Sequence, residues 1–143
     1  MISAKGIKKS YGALHVLKGI DVDISSGEII SIIGKSGAGK STLLHILGTL
    51  DRPDAGSLVI NGKEITHYNE KVLSGFRNKN IGFVFQFHHL LQEFSALENV
   101  CIPGYIARNN ASIVESRAKE LLNYLGLAER MHHKPGQLSG GEA

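Results

Sequence analysis

Gly34-Lys35-Ser36-Gly37-Ala38-Gly39-Lys40-Ser41 sets glycines, a lysine and a hydroxyl in the G-x-x-x-x-G-K-[ST] spacing of a phosphate-binding loop. Each position has a physical reason. Gly34, Gly37 and Gly39 let the backbone wrap closely around phosphate oxygens, and glycine takes positive φ at little cost. The amides of the loop, those of Lys35, Ser36 and Ala38 among them, then point inward as a nest of donors. A helix that starts here adds free amides and the positive end of its dipole. Lys40 is placed for the β- and γ-phosphates, the Ser41 hydroxyl for Mg²⁺, and Thr42 for the α-phosphate. The chemistry implied is the binding of a nucleoside triphosphate with its magnesium ion.

A second stretch has the same character. In Leu138-Ser139-Gly140-Gly141-Glu142, Ser139 supplies a hydroxyl and the two glycines expose amides at what reads as a helix start. Taken alone, Ser-Gly-Gly is a turn more often than a site. The histidines offer less. His88 and His89 are neighbours in sequence and point in different directions, and no cysteine or carboxylate cluster completes a metal site. His132 and His133, beside Lys134-Pro135, read as a solvated turn. His15, His45 and His67 carry no motif.

These residues need a scaffold to hold them. A chain of 143 residues can bury one core, and 42% hydrophobic with 20% charged residues is the composition of a globular domain. Seventeen glycines against three prolines point to backbone-mediated contacts, not to a disordered linker. The formal net charge of +3 is too small to imply nucleic acid or an anionic membrane surface. The single cysteine, Cys101, excludes an intrachain disulfide and reads as a buried small apolar residue in a reducing compartment. No run approaches the roughly 20 apolar residues of a spanning helix. The first residues lack the apolar core of a signal peptide.

The elements follow from periodicity. Residues 1–28 read as short strands, with Ile20, Val22 and Ile24 alternating with Asp21, Asp23 and Ser25, and with a turn at Ser25-Ser26-Gly27. Ile29-Ile30-Ser31-Ile32-Ile33 suits a central parallel strand covered on both faces. A helix from Ser41 to Leu50 follows the glycine loop. Residues 51–56 form a turn, and Leu58-Val59-Ile60 enters a tight hairpin at Asn61-Gly62. A short helix over 69–77 and a strand over Ile81–Phe85 come next. Ser112-Ile113-Val114-Glu115 reads as a capping box. It opens a helix with Val114, Ala118, Leu121, Leu122 and Leu125 on one face and Gly126 as its stop. The division expected is an α/β nucleotide-binding core over 1–86 and a mostly helical part over 87–143.

The two glycine motifs in this order resemble the ATP-binding-cassette ATPases, and the resemblance covers the whole chain. It implies a P-loop NTPase core with an antiparallel β part and a helical subdomain, and it implies ATP and Mg²⁺ as cofactors. Tyr11, in Lys9-Ser10-Tyr11-Gly12, matches the aromatic residue that stacks on adenine. Gln86, after Phe83-Val84-Phe85, matches the glutamine that links Mg²⁺ and the attacking water to a membrane partner. Leu138–Glu142 matches the signature, in which Ser139, Gly140 and Gly141 of one subunit cap the γ-phosphate held by the other. The family thus implies a homodimer of ATPase subunits closing on two ATP molecules.

The run Gln86-Phe87-His88-His89-Leu90-Leu91, with Phe94-Ser95-Ala96-Leu97-Glu98-Asn99-Val100, is similar to the lipoprotein-releasing branch of bacterial envelopes. Gln92 departs from the proline that many members place there. That branch implies transmembrane permease subunits of the LolC/LolE-like kind, a peripheral place on the cytoplasmic face of the inner membrane, and no nucleic acid partner. Neighbouring branches serve macrolide or peptide export and cell division. The family also needs an apolar strand ending in Asp and Glu, and a histidine beyond it, none of which can be assigned here. Asp51 and Asp54 follow no apolar strand, and Glu142 belongs to the signature. The expectation is therefore a domain truncated after the signature, a fragment that binds nucleotide at most weakly, hydrolyses ATP negligibly and folds poorly.

Overall fold

A computed structural model describes residues 1–85 and 89–142. Two compact units divide after Arg77. The first is built on a hairpin of two long strands, β1 (Ile2–Tyr11) and β2 (Leu14–Ile24). Strands β3 (Ala55–Ile60) and β4 (Lys63–Glu64) complete an antiparallel sheet in the order β2-β1-β3-β4. The registers run Ile2 against Ile24 on one side of β1 and Ile2 against Ile60 on the other. The alternation at 20–24 is observed, with Ile20, Val22 and Ile24 half-buried and Asp21 and Asp23 exposed. The Asn61-Gly62 hairpin forms as expected, with both residues at positive φ (50° and 74°).

One helix packs beneath this sheet. Helix α1 spans Lys40–Leu47, and its buried side chains are Leu43, Ile46 and Leu47. They share the core with Ala4, Ile7, Leu17, Leu58 and Ile60. The helix stops three residues short of the expected Leu50 because Thr49 turns left-handed (φ 62°). The Leu50 amide then donates back to the His45 carbonyl and the Thr49 amide to that of Ile46, closing a Schellman-type end. Helix α2 (Glu70–Asn80) starts close to where periodicity placed it.

Two expected strands are not formed. Residues 28–35 and 81–85 carry no ladder, and Ile29, Ile33 and Val84 are almost fully exposed. An apolar run states that both faces want cover, but a strand exists only where neighbouring strands supply hydrogen bonds. Among the described residues those neighbours go to β1–β4 alone.

The second unit is helical. Helix α3 (Ala96–Ile106) and helix α4 (Ala111–Tyr124) pack with Cys101, Val114 and Ala118 between them and Leu97 at the edge. The approach is close: a Cβ on Gly104 would lie 2.7 Å from both Val114 methyls. Ser95 caps α3 in a reciprocal box with Glu98. At α4 the expected box at Ser112 is corrected. Asn110 is the cap and accepts from the Ser112 amide, while Glu115 accepts from the Tyr105 hydroxyl at 3.3 Å. Asn110 lies one residue before the first helical turn, where its short carboxamide oxygen reaches that amide. Gly126 follows α4 at φ 75°, the stop expected of it. Val114, Ala118 and Leu122 are buried, whereas Leu121 is 38% and Leu125 67% exposed.

Candidate nucleotide-binding site

The glycine loop runs into α1 and, at Gly39, lies against β2. Gly37 and Gly39 are left-handed (φ 77° and 85°), and Gly39 is the N-cap of α1. Gly39 is held there by its surroundings as well. A Cβ at this position would meet Leu17 Cδ2 at 2.8 Å and Val16 Cγ1 at 2.9 Å. Leu43 makes the first helical bond, to the Gly39 carbonyl at 2.9 Å. The amides of residues 39–42 therefore have no partner within the helix, as at any α-helix start. Val16 and residues 36–42 line a cavity of about 320 Å³ at this point.

Lys40 lies within the curl of the loop. Its ammonium donates to the carbonyls of Gly34 (2.9 Å) and Lys35 (2.8 Å). A second turn of the loop is closed by the Ala38 amide on the Lys35 carbonyl at 3.2 Å. Ser36 and Ser41 are exposed and Thr42 is half-buried. The donor set is a lysine, first-turn amides and three hydroxyls beside a cavity. It fits a polyphosphate, and a hydroxyl such as that of Ser41 is the kind of hard oxygen that Mg²⁺ accepts.

Tyr11 ends β1, opposite Leu14 across a tight turn in which Gly12 has φ 59°. Its phenol donates to Asp51 Oδ2 at 2.7 Å. Lys9, two residues earlier on the same face of the strand, donates to Asp51 Oδ1 at 2.7 Å and stands over the Tyr11 ring, 5.3 Å from its centroid. The Lys9 side chain is only 12% exposed. Burial works against its charge, but the hydrogen bond it donates to Asp51 and the nearby charges of Asp51 and Asp54 outweigh it, so its pKa is raised. Burial likewise opposes the Asp51 carboxylate, and the bonds from Lys9, Tyr11 and the Arg52 amide outweigh it and lower its pKa. The bond to Asp51 raises that of the Tyr11 phenol, with Thr42 acting in the opposite sense. Sequence reasoning placed Asp51 only in a turn. Its partner lies 42 positions away, and no local signal connects them.

In the second unit, Ser139, Gly140 and Gly141 form a turn closed by the Glu142 amide on the Ser139 carbonyl at 3.0 Å. The helix start expected there is a turn among the described residues. Glu142 reaches back to the Ser139 amide at 2.8 Å and pairs with Arg130 Nε at 3.0 Å. Hydrogen bonds from the Ser139 amide and hydroxyl, then from Arg130, hold its carboxyl at about 2. Arg130 was not anticipated either. Gln86, Phe87 and His88 lie outside the described residues. Beside them, His89 meets the Phe85 ring edge-on at 4.7 Å, and Phe85 stacks on Phe83 at 5.3 Å. Asn99 ties the following loop, donating to the carbonyls of Leu91, Phe94 and Ser95 and accepting from the Leu91 amide.

Comparison with known proteins accords with this geometry. The ABC transporter family model matches residues 17–143, and the chain belongs to that family. Its fold is the α/β P-loop ATPase core with an antiparallel β part and a helical subdomain. Among its relatives is the lipoprotein-releasing system ATP-binding protein LolD of Bacteroides thetaiotaomicron, 60% identical over 99% of this chain and 65% of that one. The LolD protein of Geobacter metallireducens is 51% identical over similar shares. A dimeric ATP-binding cassette in a post-hydrolysis state, bound to ADP and Pi, superposes with a TM-score of 0.90 at 37% identity, covering 99% of this chain and 65% of that one. The chain thus spans about two thirds of the length of the relatives it matches, slightly under that mark.

Proposed function

We propose that this chain is the nucleotide-binding part of an ABC transporter ATPase subunit whose ATP binding and hydrolysis drive lipoprotein release from the bacterial inner membrane. The observation that carries the nucleotide reading is the cavity at the start of α1, walled by residues 36–42 with Lys40 in the curl of the loop. The 60% identity to a lipoprotein-releasing ATP-binding protein supports the choice of branch. Functionally the division is a nucleotide-binding core over 1–86 and a coupling and signature part over 87–143.

The loop's residue roles follow from chemistry, and those of Tyr11, Gln86 and the Ser139–Gly141 turn from the family resemblance. The amides of Gly34, Lys35, Ser36, Gly37, Ala38 and Gly39 cradle the phosphates, Lys40 neutralises the β- and γ-phosphates, and Thr42 contacts the α-phosphate. Ser41 holds Mg²⁺ together with Gln86, which also orients the attacking water. Tyr11 is the stacking partner for adenine. Ser139, Gly140 and Gly141 cap the γ-phosphate bound by a second copy, so that ATP closes a homodimer. That dimer acts on LolC/LolE-like permease subunits from the cytoplasmic face of the inner membrane. Among the described residues no helix is long and apolar enough to cross a membrane, and the substrate's passage belongs to the permease.

Calorimetric titration with Mg-ATP tests the site. Lys40→Ala removes the loop's only ammonium aimed at the phosphates, and charged hydrogen bonds are worth about 1.5–3 kcal/mol each. ATP affinity is expected to fall at least tenfold while the thermal midpoint stays within a few degrees. Unchanged affinity in the variant would place the phosphates elsewhere.

A further inference from the structure

We propose that Asp51 is a positioning residue for the Tyr11 ring, holding it as a prepared platform for the purine base of the bound nucleotide. The inference rests on the reading of Tyr11 as the base-stacking residue and adds the group that orients it. Tyr11 stands at a hairpin tip and is 51% exposed. Within its own strand only Lys9 meets the ring, over one face, and the phenol is tied from outside the strand. The fixing comes from the far side of α1: the left-handed Thr49 turns the chain, and Asp51 arrives beneath the phenol at 2.7 Å.

Asp51 is itself held. Its other oxygen accepts from Lys9 and from the Arg52 amide, both at 2.7 Å. Lys9 also donates to the Arg52 carbonyl at 2.6 Å and stands 3.8 Å from Asp54. Asp54 in turn accepts from the Ser10 amide at 2.6 Å. The network therefore grips the strand end at Lys9, Ser10 and Tyr11 in succession. With Lys9 over one face of the ring, the other face is the one left for a base. Helix α1 thus presents its first turn to the phosphates, and the turn that follows it delivers the carboxylate that sets the base platform. Fixing the ring before binding removes an ordering cost that the nucleotide would otherwise meet.

The test is calorimetry on the full chain with Mg-ATP and with inorganic tripolyphosphate, which has no base. Tyr11→Ala is expected to weaken ATP about tenfold or more, the loss of one stacked base, with little change for tripolyphosphate. Tyr11→Phe and Asp51→Ala are each expected to weaken ATP about three- to fivefold and tripolyphosphate hardly at all. Their double variant should be no worse than either single one. Asp51→Asn must turn its amide nitrogen either to the phenol or to the Lys9 ammonium and the Arg52 amide, all of which Asp51 now accepts from, so it should recover only part of the loss. ATP affinity unchanged in Tyr11→Ala would sink the stacking reading itself. A loss in Tyr11→Ala with none in Tyr11→Phe or Asp51→Ala would overturn the positioning role and leave stacking intact. Equal losses for ATP and tripolyphosphate in Asp51→Ala would also overturn it. If Asp51→Ala does not fold, Tyr11→Phe decides, read in a Thr42→Val background so that the hydroxyl's bond with Thr42 does not contribute.

Discussion

The two glycine motifs look alike as letters and are held by different forces. At residues 34–42 the backbone is fixed by shape. Gly39 is left-handed and wedged against Leu17 and Val16, so no side chain fits, and the helix beyond is anchored by Leu43, Ile46 and Leu47 in the core. At residues 139–142 nothing is wedged. A Cβ on Gly140 or Gly141 would meet open space, and the turn is held by one carboxylate, Glu142, steadied by Arg130. The first motif is a rigid seat built into a sheet-and-helix core. The second is an electrostatic latch, which can change with its surroundings without disturbing any core.

That contrast can be broken at the rigid end first. Gly39→Ala forces a left-handed alanine, costing about 1–2 kcal/mol, and pushes a methyl into Val16 and Leu17 for about 1–3 kcal/mol more. A drop of about 3 kcal/mol in unfolding free energy is expected by urea denaturation, with ATP binding lost. A loss under about 0.5 kcal/mol would show that the seat is pliable.

At the latch the lever is pH. Glu142's value is depressed from 4.5 to about 2, so its hold on Ser139 is complete above 4.5 and is lost as pH falls toward 2. The Ser139 amide resonance should therefore titrate with a midpoint well under 4. A midpoint near 4.5 would mean that Glu142 grips nothing. The smallest effect belongs to Gly140→Ala, expected to change stability by less than about 0.5 kcal/mol. A larger loss would make the two motifs mechanically alike.

What sequence revealed divides along the same line. The loop, its helix, the alternation at Ile20–Ile24 and the Asn61-Gly62 hairpin depend on local chemistry, and all are observed. Cys101 is buried, as its apolar neighbours implied. The strands expected at 29–33 and 81–85 depend on distant partners, which an apolar run requests but cannot name. Helix α3 was legible in principle: Ser95-Ala96-Leu97-Glu98 is a capping box by the rule applied at Ser112, where Asn110 proved the better cap. Asp51 and Arg130 were not legible, because each acts on a residue that only folding brings near.

The buried Cys101 has a practical consequence. It is the chain's single thiol, 1% exposed between Val114 and Ala118. A thiol reagent can reach it only when α3 lifts away from α4, so its labelling rate is a clock for that opening. Followed with and without nucleotide, one colorimetric trace would report how often the helical unit breathes, with no label to introduce and no residue to change.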